Sequence, residues 1–216
     1  MDALDRLLTP GRDLLARVDD TLVACGAPAD HPLWTLLRRV GALPGDAVEA
    51  IAALQPQPLT AAADVAHGLT DAYAAPVADP GEWTGTAAQA YAARWQDLSA
   101  YLGNPGVTGR LVDTARYLAE VADWIRTARR DLAGALAEAL CSAEAVRLRL
   151  TADDPPAARV AAAAAIGARV LDAVASAYDD GRALCDRWAG RLDELPYRPA
   201  ASVGATSVGG TTTVPH

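Results

Sequence analysis

Several residue types are scarce or absent in this sequence, and each scarcity limits what the protein can be. Among 216 residues there is no Lys and no Phe, methionine occurs only as Met1, and aromatic residues make up 5%. The core must be built largely from Ala, Leu and Val. Because Ala is the best helix former and a poor strand residue, an all-α fold is predicted. The formal net charge of -8, with all 19 positive charges on scattered Arg residues, argues against nucleic acid as the main ligand. The missing Lys and Phe are typical of a high-GC bacterial genome.

Segments that direct a chain into a membrane are also missing. The N-terminus is acidic over residues 1–5 and has no apolar region, so no cleavable secretory signal is predicted. The longest apolar run, 160–166, is mostly Ala. It is far shorter than the roughly 18 residues that a transmembrane helix needs. We therefore expect a cytoplasmic protein without an integral membrane segment.

The three cysteines offer no metal site or disulfide pattern. Cys25, Cys141 and Cys185 are odd in number, far apart in the chain and without a nearby His. That spacing fits neither a zinc site nor a disulfide framework. We interpret them as small buried or half-buried thiols.

Residues for catalysis are equally dispersed. Of His31, His67 and His216, only His67 has carboxylates at helical spacing, namely Asp64 and Asp71. A solvated polar helix face is the favoured interpretation of that trio, ahead of a metal site. No nucleophile-elbow, phosphate-loop, dinucleotide-binding or zinc-protease motif occurs. We therefore predict no catalytic, cofactor-binding or metal site and interpret the protein as not being an enzyme.

The N-terminal region, residues 1–55, has the pattern of short helices. Residues 2–25 are amphipathic, and Pro10 is expected to interrupt them and to begin the main helix. Two shorter helices are predicted at 32–41 and 44–54. The next helix, from residue 59 to about 77, carries an apolar face. That face consists of Leu59, Ala62, Ala66, Leu69 and Tyr73.

Residues 107–150 show the clearest helical pattern in the chain. One apolar column repeats every seven residues at Leu111, Leu118, Ile125, Leu132, Ala139 and Val146. A neighbouring column contains Ala115, Ala122, Leu136, Ala143 and Leu150. We predict one unbroken helix of about 65 Å, at about 1.5 Å per residue.

A second long helix is predicted over 157–195. Its apolar positions alternate in steps of four and three, as in a coiled-coil seam. They are Val160, Ala164, Gly167, Leu171, Val174, Tyr178, Gly181, Cys185, Trp188, Leu192 and Leu195. The two glycines of this series are expected to let neighbouring helices approach closely.

The short loop at 151–156 predicts that the two long helices are antiparallel. A turn near residue 153 places Cys141 level with about residue 166, and Cys185 level with about residue 122. A disulfide needs Cα atoms within about 7 Å, so one between these two cysteines is excluded. Residues 196–216 have one charged residue, Arg198, and no periodicity, and we predict a disordered tail.

Between the first and second halves lies a turn followed by a capped helix. Residues 79–81 read Asp-Pro-Gly, a strong turn signal, and Thr86 with Gln89 has capping-box spacing. A helix is therefore expected to start near residue 86 and to end or kink at the Gly-Asn-Pro-Gly of 103–106. One face of it carries Ala87, Tyr91, Trp95, Leu98 and Leu102. Between turn and helix stands Trp83-Thr84-Gly85, where Gly85 can adopt a positive φ.

The segment from Trp83 to Trp95 resembles the centre of the WXG100 (ESAT-6-like) family. In that family a W-x-G turn joins two antiparallel helices and is followed by small residues and by an aromatic at the position that Tyr91 matches. Members are dimeric helical hairpins that type VII (ESX) secretion systems handle without a cleavable signal, chiefly in high-GC Gram-positive bacteria. The resemblance covers roughly residues 57–150. It implies that Trp83, Gly85, Tyr91 and Trp95 form the hairpin turn or the partner-binding surface.

The sequence departs from the family pattern in three ways. It has an added N-terminal region, an added long helix at 157–195, and a break at 103–106 in the second arm. The family's export signal, a Tyr followed four residues later by Asp or Glu, is missing, since Tyr178 is followed by Arg182 and Tyr197 by Ala201. Autonomous export is therefore in doubt.

Together these features predict an elongated antiparallel helical hairpin or bundle with a W-x-G turn. Its expected parts are short N-terminal helices at 1–55, a WXG-like long-helix bundle at 56–195 and a disordered tail at 196–216. The expected function is binding of a helical protein partner or a second copy, as a substrate or partner of type VII secretion. The protein then stays cytoplasmic or leaves by a route without a signal peptide. The alternative is a cytoplasmic helical structural or adaptor protein unrelated to secretion, in which the added helices fill a dimer partner's place.

Overall fold

The computed structural model describes residues 1–74, 84–103, 106–150 and 155–192, and this part of the chain is helical without strands. The all-α fold class is therefore confirmed. The helices are α1 (Ala3–Cys25), α2 (Leu33–Val40), α3 (Pro44–Ala52), α4 (Gln57–Ala74), α5 (Thr86–Leu102), α6 (Val107–Leu140), α7 (Ala143–Leu150) and α8 (Pro156–Trp188).

The two longest helices, α6 and α8, form the centre of the fold and run antiparallel. Trp124 Nε1 on α6 donates to the carbonyl of Ala177 on α8 at 2.8 Å. Towards the start of α6, Trp188 Nε1 donates to Glu120 Oε2 at 2.9 Å. Since lower numbers on α6 meet higher numbers on α8, the antiparallel pairing is confirmed, and its register agrees with a turn near residue 153.

Helix α1 lies against both central helices and completes the core. Buried side chains from α1, α2, α3, α6, α7 and α8 belong to one hydrophobic cluster. Its large members with almost no exposure include Leu4, Leu14, Leu15, Ile51, Leu132, Leu136, Ile166 and Leu171. The N-terminal segment 1–55 and the long helices therefore share a single core.

The contact between α4 and α6 is the most extensive one between any two helices in the described residues. Arg126 Nη2 donates to Thr60 Oγ1 at 2.7 Å, and Gln57, earlier on α4, lies beside Arg129, later on α6. The two helices are therefore antiparallel. The small residues Ala63 and Ala66 are buried in the described part of α4, which lets the two helices come close.

The predicted interruption of the first helix at Pro10 is wrong. Helix α1 continues through Pro10, which lies inside it, and is capped by Asp2 in a capping box with Asp5. A proline inside a helix removes one hydrogen bond and favours a kink. Here Leu4 before it and Leu14 after it are both buried in the core, so tertiary packing keeps the helix continuous.

The predicted unbroken helix over 107–150 is also wrong, because it divides at Cys141 and Ser142 into α6 and α7. Ser142 Oγ donates to the carbonyl of Ala139 at 2.7 Å and accepts the backbone N–H of Ala145 at 3.2 Å. It thus begins a new helix as a serine N-cap does. Beyond the break the heptad column fails, since Val146 is 53% exposed.

The predicted seam of the last helix is continuous in its first half and interrupted in its second. Helix α8 ends at Trp188 rather than 195, and Leu195 lies outside the described residues. Within the seam, Tyr178 is 39% exposed and Cys185 is exposed. Gly181 lies against Trp124 of α6, and Trp188 is 4% exposed and hydrogen-bonded to Glu120 of α6, so the second half of the seam keeps contact with α6 through these members.

The two seam glycines meet different neighbours, and the predicted close approach is confirmed at both. A Cβ at Gly181 would lie 2.9 Å from Trp124 Cζ2. A Cβ at Gly167 would lie 3.2 Å from Pro44 Cγ and 3.3 Å from Leu33 Cδ1. Gly181 thus admits α6, whereas Gly167 admits the N-terminal helices.

The cysteines are exposed free thiols, so their predicted burial is wrong. Cys25 is the last residue of α1, and Cys141 lies in the break between α6 and α7. Cys185 lies near the end of α8, and its thiol is hydrogen-bonded with Tyr117 of α6.

Candidate functional site

The predicted site around the W-x-G motif is described only from Thr84 onward, and Trp83 lies outside the described residues. Gly85 has φ 106° and ψ 179°, and its carbonyl accepts the N–H of Gln89 at 3.0 Å. This conformation is strained for other residues, so the predicted positive φ of Gly85 is confirmed. The predicted capping box is not formed, because Gly85 is itself the N-cap and Thr86 is the first helical residue.

The helix that follows, α5, buries none of its residues. Tyr91 is 40% exposed and Leu98 is 43% exposed, while Trp95 is half-buried. The C-terminal end of α5 is linked to the start of α6 by a hydrogen bond, because Thr108 Oγ1 donates to the carbonyl of Leu102 at 2.6 Å. The predicted aromatic residues Tyr91 and Trp95 therefore lie on a helix that contributes nothing to the core of its own chain.

The predicted apolar face of α4 is only partly the buried one. Ala66 is buried as expected, but Leu69 is 43% exposed and Tyr73 is 47% exposed. Val65, one turn before Leu69, is 64% exposed. Because the contact with α6 uses the small alanines, the large side chains of α4 remain at the surface.

The hairpin itself stays a prediction. Residues 75–83, which contain the turn and Trp83, lie outside the described part of the chain. Among the described elements, α4 packs against α6 rather than mainly against α5. The antiparallel partner of α4 among the described helices is thus α6, and not α5, which directly follows the W-x-G motif.

The described histidines do not form a catalytic or metal centre. His31 Nδ1 accepts the backbone N–H of Leu33 at 3.2 Å, which makes it a local cap at the start of α2. His67, Asp64 and Asp71 are all exposed on α4. Within the described residues no group of three or more His, Cys, Asp or Glu side chains is arranged to hold a metal ion.

An arginine that the sequence patterns did not identify holds three segments together. Arg129 on α6 is 5% exposed. Its Nε donates to Asp2 Oδ2 and its Nη2 to Asp5 Oδ1, each at 2.6 Å, while Nη1 donates to the carbonyls of Ala52 and Leu54. One side chain thus joins the start of α1 and the end of α3 to α6.

The ion pair changes the ionisation of its carboxylate partner. The hydrogen bond from Arg129 lowers the pKa of Asp2 to about 2. The signal for Arg129 was present in the sequence, because position 129 falls between Ala122 and Leu136 in the apolar column of α6. An Arg at an otherwise apolar position is buried only where partners are supplied, and those partners come from distant segments.

A second unpredicted group is Asp19 on α1. Its Oδ2 accepts the N–H of Gly45 at 3.0 Å, while its Oδ1 is buried and has no hydrogen-bond partner in the described residues. Desolvation raises the pKa of Asp19 to about 6, with added repulsion from Asp46 and Asp20 and against the effect of the Gly45 hydrogen bond. The burial results from α3, since a Cβ at Gly45 would overlap Asp19 Oδ2.

Helix α8 is long and apolar enough to cross a membrane by length and composition alone. However, 56% of its most apolar window is buried inside the protein. Core helices with this composition meet the same criterion, so the absence of an integral membrane segment stays a prediction.

The described residues therefore include a helix, α5, that carries aromatic side chains and buries none of its residues. They also include the buried arginine Arg129, which joins α1, α3 and α6. No catalytic centre is assembled among the described residues. Comparison of the chain with known protein families, curated proteins and solved structures finds no match.

Proposed function

We propose that this protein is a non-enzymatic, WXG100-like interaction protein that binds a helical protein partner through α5. It acts with a type VII secretion system as a substrate or partner. The observation that carries the proposal is that α5, a helix of 17 residues, buries none of them.

A helix of this length is marginally stable alone in water, because most helical stability in proteins comes from packing an apolar face. Helix α5 has such a face, with Tyr91, Trp95, Leu98 and Leu102 at steps of four, three and four. Aromatic residues of this kind provide much of the binding energy in protein interfaces. Docking on a partner helix supplies the burial that this face does not have in the isolated chain.

The resemblance adds the secretion context. Gly85 has the positive φ that a tight W-x-G turn calls for, and Tyr91 stands at the aromatic position of the family pattern. A partner that carries the export signal supplies what this sequence lacks.

One observation favours the second candidate, a cytoplasmic structural or adaptor protein unrelated to secretion. Helices α1 and α4 already pack against the central pair within one chain. They occupy positions that a dimer partner takes in a simple hairpin protein.

The test compares two triple variants of α5 in the native host. The first, Tyr91→Ser with Trp95→Ser and Leu98→Ser, removes the apolar face. The matched control, Gln89→Ser with Gln96→Ser and Asp97→Ser, changes three exposed positions around the opposite side. Both sets use Ser, so helix propensity changes comparably.

We expect the wild type and the control to co-purify with one helical partner and the first variant to lose it, while all three melt alike. Binding that does not depend on the apolar face contradicts the role of α5. The secretion context is tested separately by deleting the secretion ATPase. The proposed role in secretion is contradicted if the deletion changes the localisation of neither the protein nor its partner.

A further inference from the structure

A groove between α6 and α8 remains open on the side of this pair that α1 does not cover. It consists of two adjoining cavities of about 240 and about 560 Å³, which share Trp124, Thr127 and Asp180. The lining begins at Asp172 and reaches Arg187 along α8. At about 1.5 Å per residue this is about 22 Å, the length of a helix of about 15 residues.

The floor of the groove is apolar, small and held in place. Ala128, Ala173 and Ala177 line it together with the ring of Trp124. Trp124 is held against α8 at two points, because its Nε1 donates to the carbonyl of Ala177 and the same edge of its ring lies against Gly181. A preformed floor of small side chains lets another helix approach closely at little cost in ordering.

The walls of the groove are acidic. Five carboxylates line it, and Arg187 is the one cationic side chain among its lining residues. They are Glu120, Asp123, Asp131, Asp172 and Asp180. Glu120 accepts from Trp188 and Arg187, and Asp123 and Asp131 have arginines of their own helix as partners.

Two carboxylates of the wall have no such partner. These are Asp172 and Asp180. Both lie on the groove, and neither has an ion-pair partner within 4 Å among the described residues, although Arg39 on α2 acts electrostatically on Asp172 from a longer distance. They stand eight residues apart on α8, about 12 Å. Cationic side chains two helical turns apart on an incoming helix meet both.

We propose that this groove binds a basic amphipathic helix of a partner protein. The incoming helix places apolar side chains on the alanine floor and arginines or lysines beside Asp172 and Asp180. Since α1 fills the other groove of the same pair, the partner helix completes a bundle around α6 and α8. The proposal is independent of α5, with which the groove shares no residue.

The test uses two synthetic peptides of about 15 residues on an alanine background. One carries leucines along one face with arginines flanking them, and the other carries glutamates in place of the arginines. Calorimetric titration of the full-length protein measures both. We expect the arginine peptide to bind at least about tenfold more tightly than the glutamate peptide, and its affinity to fall with added salt.

Three variants locate the site. Ser176→Trp fills the groove from an exposed position, and we expect it to weaken arginine-peptide binding by about tenfold or more, whereas Ser176→Ala leaves binding unchanged. Asp172→Asn with Asp180→Asn is expected to weaken binding comparably. The matched control, Asp20→Asn with Glu138→Gln, makes the same charge change at exposed positions outside the groove.

The proposal is overturned if neither peptide binds at about millimolar concentration, or if both bind equally. It is also overturned if the control pair weakens binding as much as the groove pair, which indicates a general charge effect. Full competition by spermine at equal concentration overturns it in favour of a small-cation site. Loss of the α5 face leaves these titrations unaltered, so the two proposals fail separately.

Discussion

Arg129 shows how one residue can join distant parts of this chain. Its guanidinium contacts Asp2, Asp5, Ala52 and Leu54 from α6 and is almost fully buried. A buried charge is tolerated only when paired and hydrogen-bonded, and removing one member leaves the others without partners. Asp19 is the opposite case, because half of its carboxylate has no partner.

Replacing Arg129 is expected to destabilise the protein strongly. Arg129→Met removes the hydrogen bonds to Ala52 and Leu54 and leaves two carboxylates at the surface. We expect it to lower the free energy of unfolding by about 2–4 kcal/mol. Arg130→Met is the control, because Arg130 is 70% exposed and pairs only with its neighbour Asp131. Urea unfolding measures the loss of stability in both variants. Equal losses contradict the role of Arg129 in joining α1, α3 and α6.

Asp19 predicts a specific pH dependence of stability. Its folded pKa of about 6 exceeds the ordinary aspartate pKa of 3.8, so the folded state binds the proton more tightly than the unfolded state. The stabilisation is complete below about pH 4 and is lost as the pH rises through about 6. Asp19→Asn should therefore be more stable than wild type above pH 7, by roughly 1–2 kcal/mol after allowance for solvent screening.

The measurement is thermal or urea unfolding of both proteins from pH 4 to pH 8. The difference in stability between variant and wild type should grow from about pH 4 to about pH 7 and stay constant above that. Asp2 has the opposite sign, because its lowered pKa gives stability that is lost as pH falls through about 4 towards 2. A difference that is constant with pH contradicts the burial of an ionisable Asp19.

At the scale of elements, close helix contacts depend on small residues. Ala63 and Ala66 lie in α4, which packs on α6, and Gly181 admits Trp124 to α8. A Gly inside a helix makes the helix less stable than Ala does, by about 1 kcal/mol. The benefit of small residues appears only where another helix approaches.

Two glycines in helix interiors separate propensity from packing. Nothing lies within 4 Å of a Cβ at Gly134, whereas one at Gly181 would lie 2.9 Å from Trp124. Gly134→Ala should raise the free energy of unfolding by about 0.5–1 kcal/mol. Gly181→Ala should lower it by about 1 kcal/mol because the ring must move. The same sign for both variants in urea unfolding contradicts the close approach at Gly181.

The positions of most helices, and the antiparallel pairing of α6 with α8, could be predicted because periodicity and a short loop determine them. The continuity of α1 through Pro10 could not, because it depends on core contacts on both sides of the proline. The break at Ser142 was hidden because serine is compatible with a helix interior. For the site, Gly85 and the aromatic face of α5 followed from local pattern, whereas Arg129 and Asp19 depend on residues from distant segments.

At the scale of the whole molecule, the protein divides into a well-packed part and an unburied helix. Helices α1, α2, α3, α6, α7 and α8 share one core, and α4 packs along α6. Helix α5 stands outside that core and still carries Tyr91, Trp95 and Leu98. A helix that neither contributes to nor gains from the core is expected to open readily.

Amide hydrogen exchange followed by mass spectrometry tests the role of α5 most directly. In the isolated chain, peptides from α5 should exchange far faster than those from α8, because no buried contact protects them. In the complex purified from the native host, exchange of α5 should slow by about tenfold or more while α8 is unchanged. Protection of α5 equal to that of α8 in the isolated monomer, or no change in the complex, would contradict partner binding through this helix.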